Sequence, residues 1–276
     1  MTLTLITRCV GDLKQRLGHR RRLFAYTHPA LPEEPLVFVQ VALTAGLADD
    51  ITEILEADTS MEEDASEAAT AAMFYSISST QEGLRGIDLG NFLIKRVVGE
   101  LKRDHENLEH FCTLSPIPGF RAWQMSLEEN EFLETGEKQK LEALVGDKSM
   151  NTILEEDEWH MNAELREILK PVLMRLGHRY LFETKKKNTN YAIDPVSNFH
   201  IRNGARLERL NWLADVSPKG LQQSRGLMVN YYYHIEAIEA NSHAYLSHGH
   251  ITVGTPFEES GLEFNCIEGQ VSTRLT

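Results

Sequence analysis

The residues best suited to chemistry begin with the run Thr80-Gln81-Glu82-Gly83-Leu84-Arg85-Gly86-Ile87-Asp88-Leu89-Gly90-Asn91, set between an apolar strand pattern and an amphipathic helix pattern. Glycines where a strand hands over to a helix leave backbone N–H groups free to face an anion, and the helix N-terminus adds partial positive charge. That is phosphate-holding chemistry, although a tight turn needs glycine even when it binds nothing. Ser115 stands where a strand pattern ends, and Pro116 and Pro118 forbid a helix after it. Its hydroxyl is expected at the strand's exit, where open sheets concentrate functional groups, or simply capping a turn. A nucleophile elbow of the G-x-S-x-G type is missing around it. His200 falls on a short helix opened by Asp194-Pro195. Near a helix N-terminus an imidazole tends to stay neutral, which suits proton transfer, yet a solitary histidine is more often structural.

Other groups attract weaker readings. His243, His248 and His250 suggest a metal, but their region reads as loop without a cysteine partner, so they are expected to be a surface feature. Lys185-Lys186-Lys187 reads as a basic loop, solubilising or attractive to a phosphorylated ligand. Tyr231 and Tyr233 share one face of a strand. The acid-rich run from Leu154 to Trp159 is expected to be a solvated helix face.

Residues 22–28 and 36–43 read as a pair of strands joined by a proline-rich turn, and residues 71–78 as a strand entering the glycine run. From Gly90, apolar residues Phe92, Leu93, Val97, Val98 and Leu101 recur at helical spacing. Residues 110–114 form a further strand, and 120–182 are helical by pattern, with Gly136 and Gly146 as breaks. Strands over 206–214 and 226–233 flank a helical turn opened by Ser217-Pro218. Residues 12–18 resemble the end of a helix, 49–70 a solvated acidic connection, and the tail beyond about 250 has no clear pattern. The sum is an α/β or α+β protein with a mixed sheet.

A chain of 276 residues, 42% hydrophobic, can bury a sizeable core. Its net charge of −13 argues against non-specific binding to nucleic acid or anionic membrane, so an anionic ligand needs a local basic pocket. No apolar run reaches membrane-span length. The cysteines, Cys9, Cys112 and Cys266, form no C-x-x-C pair and fit a reducing compartment. A cytoplasmic location is the default. The arginines near the N-terminus, with no acid before Asp12, leave the mitochondrial matrix as the alternative.

Several long blocks, taken together, resemble the malonyl-CoA decarboxylase family: Phe74 to Val98, Leu114 to Phe120, Asp194 to Ala205, Asn211 to Asp215 and Gly226 to Tyr231, in the family's order. The likeness runs from about residue 8 to about residue 250. It implies a GNAT-type acyltransferase fold with a mixed central sheet and a helical insertion over about 120–182, turned to decarboxylation. It implies three parts: 1–20 as a remnant of an upstream helical domain, 21–250 as the catalytic domain, and 251–276 as a divergent tail. By the same likeness, malonyl-CoA is the substrate, converted to acetyl-CoA and CO2. No cofactor is implied beyond the CoA moiety of the substrate, no metal, no nucleic-acid partner, and a homo-oligomer is the family habit. Ser115 and His200 match the family's catalytic serine and histidine, while Asp88 and Tyr233 match two further implicated positions. Asp88 replaces a glutamate of some relatives and is shorter by one methylene. CoA is expected along Gln81, Gly83, Arg85, Gly86, Ile87, Asp88, Leu89, Gly90 and Asn91, with its acyl end at Ser115 and His200. The competing expectations are a CoA-dependent acyltransferase and a non-catalytic acyl-CoA-binding protein.

Overall fold

β-branched and aromatic residues that alternate along the early chain build the sheet on which the rest is laid. In the computed structural model, which describes residues 2–5, 20–31, 34–56, 68–84, 89–156 and 158–264, strands β1 (Thr2–Leu5), β2 (Arg21–Thr27), β3 (Val37–Thr44) and β4 (Ala71–Ser79) follow one another antiparallel. Helix α1 (Ile51–Glu56) lies between β3 and β4. After β4 a 3₁₀ turn (Glu82–Leu84) leads to α2 (Leu89–Asp104), and the chain returns as β5 (His110–Thr113), parallel to β4. A parallel return needs such a crossover, because a tight turn can only reverse the chain. Leu93, Val97, Val98 and Leu101 lie in the buried stripe of α2, as their spacing predicts, and Ile94 joins them, while the side chain of Phe92 lies outside those described.

β6 (Ser115–Pro116) continues the ladder that β5 begins. Cys112 pairs with Tyr232, and Ser115 and Pro116 pair with Val229 and Met228 of the same partner strand, β8 (Met228–Tyr232). β7 (Arg206–Asn211) pairs with β8 as well. The mixed α/β sheet expected from the sequence is therefore present. One face packs on α2 and the later helices; the other carries a smaller cluster of Ile54, Met73, Cys112, Leu114 and Met228 under α1.

Between β6 and the second half of the sheet lies the helical insertion: α3 (Phe120–Gln124), α4 (Thr135–Val145), α5 (Met150–Leu154), α6 (Ala163–His178) and a π turn (Arg179–Glu183). Gly136 does not break it. It occupies the first turn of α4, where its N–H is free anyway and a Glu134–Glu137 capping box closes the end. Gly146 does terminate α4, at φ +71°. The acidic run is not a solvated helix face either, since α5 stops at Leu154 and Glu155 accepts from Arg121 and Arg225.

The chain then forms α7 (Pro195–Arg202), α8 (Pro218–Ser224), α9 (Ile238–His248) and α10 (Thr255–Phe264). The expected loop around His243 and His248 is thus the helix α9, ended by Gly249 in the left-handed region. No cluster of metal-ligating side chains occurs among the described residues. The C-terminal region, patternless in sequence, holds α10 against α6 and β7. Residues 12–18 lie outside the described residues. No helix among those described is long and apolar enough to cross a membrane.

Candidate active site

The pairing of β4 with β5 ends at Phe74 and Thr113. Just there β4 carries a bulge, because Val41 pairs with Phe74 and Gln40 with Ser76, leaving Tyr75 extra. A bulge bends its strand and adds local twist. β4 runs on to Ser79 beside β3 alone, while the chain after β5 turns to β8. The strands therefore part, and the gap is a cleft of about 590 Å³. β4 from Phe74 to Ser79 forms one wall; Ser115, Pro116 and the α7 residues Val196, Phe199 and His200 form the other. Lys219, exposed at the start of α8, is the one lysine or arginine of the lining among the described residues, which bring no carboxylate to the lining.

At the second wall lies a buried chain of polar side chains. His200 Nε2 is 3.3 Å from Ser115 Oγ, and His200 Nδ1 is 2.8 Å from Tyr233 Oη. Ser115 donates to Thr113 Oγ1 at 3.0 Å, and Thr113 Oγ1 also accepts the Tyr231 N–H at 3.2 Å. Tyr231 stacks on the imidazole with ring centroids 4.6 Å apart, fixing its plane. Burial pushes the His200 imidazole down to about 3. Its neutrality does not come from a helix N-terminus, because His200 sits in the last turn of α7, where the helix dipole favours the cation. Desolvation outweighs the dipole.

Asp194 aims the helix. Its Oδ1 accepts the N–H groups of Val196 and Ser197 at 2.9 Å each, an N-cap, and its Oδ2 accepts from Tyr180 at 3.1 Å and from the Gly119 N–H at 3.5 Å. The carboxyl is fully buried, and burial raises its pKa against the opposing pull of those hydrogen bonds. A Cβ on Gly119 would lie 2.3 Å from Tyr180 Oη, so this contact requires glycine. Asp194 thereby ties α7 to the loop after β6 and to the π turn, holding His200 opposite Ser115.

Ser115, His200 and Tyr233, far apart in sequence, are thus brought together. Gln81 and Gly83 lie elsewhere, just past the end of β4 at the far end of its cleft-lining stretch. Gln81 is partly exposed and donates to Glu34 at 2.9 Å, while Gly83 is exposed in the 3₁₀ turn. Arg85, Gly86, Ile87 and Asp88 lie outside the described residues; Leu89, Gly90 and Asn91 open α2. Thr113, Tyr231, Tyr180 and Lys219 were not singled out by sequence reasoning for this site. Only Tyr231 left a signal there, the shared face with Tyr233.

Fold and site together define an α/β protein with a hydroxyl–imidazole–phenol relay opening on a split in its sheet. The chain belongs to the malonyl-CoA decarboxylase C-terminal domain family, whose family model matches residues 7–268. It is 43% identical over 251 residues to a mitochondrial malonyl-CoA decarboxylase of Anser anser anser, covering 87% of this chain and 49% of that protein. It is 42% identical over 246 residues to the mitochondrial enzyme of Mus musculus, covering 85% and 50%. The chain therefore spans about half the length of the curated relatives it matches. Among solved structures, malonyl-CoA decarboxylase from Rhodopseudomonas palustris is similar at 42% identity and TM-score 0.77, over 90% of this chain and 55% of that one. The Agrobacterium vitis structure is similar at 37% and 0.82, over 94% and 67%.

Proposed function

We propose that this chain binds malonyl-CoA and releases CO2 from it, leaving acetyl-CoA. The observation that carries the reading is the buried Ser115–His200–Tyr233 chain on a cleft whose opposite wall is an unpaired strand edge. Beyond Phe74 the outer edge of β4 has no strand partner among the described residues, so its backbone groups can pair with the amides of a pantetheine arm lying along the cleft. That arm would run toward Gln81, Gly83 and the glycine run, where the start of α2 suits a pyrophosphate. The relatives named malonyl-CoA decarboxylase support the same substrate.

In this reading the C–C bond to the carboxylate breaks and its electron pair moves into the thioester carbonyl, which is the electron sink. No further cofactor is needed for that step. The enolate then takes one proton at its α-carbon. His200 supplies it, because a neutral imidazole with an N–H on the cleft wall is acid enough for an enolate. Ser115 keeps the imidazole in place through its contact with Nε2. The family likeness gives Arg85, Gly86, Ile87 and Asp88 as CoA-binding, and Asp88 as a catalytic position as well. The relatives' names support a mitochondrial rather than a cytoplasmic setting for this activity.

The test is incubation of the purified chain with malonyl-CoA and no acceptor, following CO2 and acetyl-CoA together. Equal formation of both is expected. Turnover appearing only after an amine or alcohol is added would make the chain an acyltransferase. Binding without turnover would leave an acyl-CoA-binding protein.

A further inference from the structure

The ladder that joins β5 and β6 to β8 is interrupted at Thr113, and the interruption is filled by a side chain. Cys112 and Ser115 pair with Tyr232 and Val229, but the Tyr231 N–H between them donates to Thr113 Oγ1 rather than to a carbonyl. The Thr113 carbonyl is engaged by the Asn230 amide at 2.9 Å. Thr113 Oγ1 thus stands fully buried at a fixed point of the sheet, and Ser115 donates its hydroxyl proton to it. A serine hydroxyl has one proton. With that proton committed to Thr113, the contact between Ser115 Oγ and His200 Nε2 is a hydrogen bond only if Nε2 carries the hydrogen. Nδ1 of the neutral ring then accepts from the Tyr233 hydroxyl, at 2.8 Å.

We propose that Thr113 is a positioning residue that sets the tautomer of His200: by taking the Ser115 proton it places the imidazole hydrogen on Nε2, beside the cleft. The direction of the whole chain follows, from Tyr233 to His200 to Ser115 to Thr113. A neutral Nε2–H group therefore faces the cleft, while Tyr233 holds Nδ1 on the other side of the ring. The kinetic arm of the proposal rests on the decarboxylase reading, and the tautomer arm does not.

Two measurements test it on the full chain. With histidine labelled in its ring nitrogens, ¹⁵N spectra should show His200 protonated at Nε2 and unprotonated at Nδ1. In Thr113→Val the Ser115 hydroxyl is released and can donate to Nε2, so the protonated signal should move to Nδ1; Thr113→Ser should keep it on Nε2. A wild-type ring protonated at Nδ1 overturns the proposal, as does an unmoved signal in a folded Thr113→Val protein. Independently, Thr113→Val should lower kcat about tenfold, the scale of one lost hydrogen bond, with KM unchanged and Thr113→Ser restoring the rate. In a Ser115→Ala background the same substitution should add nothing. A full additional tenfold loss there would mean that Thr113 does not act through Ser115. Correct tautomers in a protein that releases no CO2 would sink the decarboxylase reading and leave the tautomer assignment standing.

Discussion

Two buried histidines invite comparison. His200 and His178 are both forced neutral by burial, pushed down to about 3 and about 4. His178 lies at the end of α6, with Nε2 3.0 Å from Ser260 Oγ and its ring 4.2 Å from that of Phe257. It therefore fastens α10 to the helical insertion. His200 bonds hydroxyls through both nitrogens, stacks on Tyr231 and lines a cleft. A depressed pKa is thus common to a structural clasp and to the imidazole proposed as proton donor. What separates them is a second polar partner and access to a cavity large enough for a ligand.

The hardest blow to that distinction would come from activity. His200→Gln or Ser115→Ala should cut CO2 release about 10²- to 10⁴-fold, the usual range for a lost acid–base group. His178→Gln should leave turnover within about twofold, checked by the same assay. Comparable losses at both histidines would erase the contrast.

Next is the alignment of α7. Asp194→Asn keeps an N-cap, since asparagine caps as well as aspartate. It turns an amide donor, however, toward the Tyr180 hydroxyl and the Gly119 N–H. A fall in kcat of about tenfold is expected, with CoA affinity unchanged, measured by steady-state kinetics and calorimetry. An unaltered kcat would remove Asp194 from the positioning of His200.

In acid the two histidines should behave alike. Each stays neutral in the folded chain well below the 6.5 at which it titrates when unfolded. The unfolded state then binds more protons, so stability falls as pH drops from 6.5 toward 4. The slope is about 1.4 kcal/mol per pH unit for each ring. Urea unfolding at stepped pH should show this slope reduced by a similar amount in His178→Gln and His200→Gln. A difference between the two variants would sharpen the contrast into one of stability as well as function.

The smallest effect is expected at Lys219. Screened by water, its attraction for an anionic ligand contributes at most about 1 kcal/mol. Lys219→Gln should raise KM up to about fivefold without changing kcat.

Much of this was legible before the chain was folded. The stripe of α2, the strand into the glycine run and the Asp194-Pro195 start depend on neighbours in sequence, and all three stand where their patterns put them. Ser115 and His200 fall within the family blocks, and Tyr233 lies two residues beyond the last of them. The rest depends on register between distant segments. Thr113 matters because Tyr231 lies opposite it across an interrupted ladder, and Asp194 because its second oxygen reaches Tyr180. Helix α10 was hidden by Gly261, yet that glycine lies where His178 packs, with room for a Cβ only 3.3 Å from Nδ1.

The position of β8 has a consequence for biosynthesis. It pairs with β5, β6 and β7, all made before it, and supplies Tyr231, while Tyr233 directly follows it. As the chain leaves the ribosome, Ser115 and His200 emerge without the strand that aligns them, and the edges of β5 and β7 remain open. Until Tyr233 is out, a nascent chain has a partial sheet with exposed edges and no assembled relay. Messages truncated before the codon for Met228 should therefore yield sticky polypeptides that lack the aligning strand.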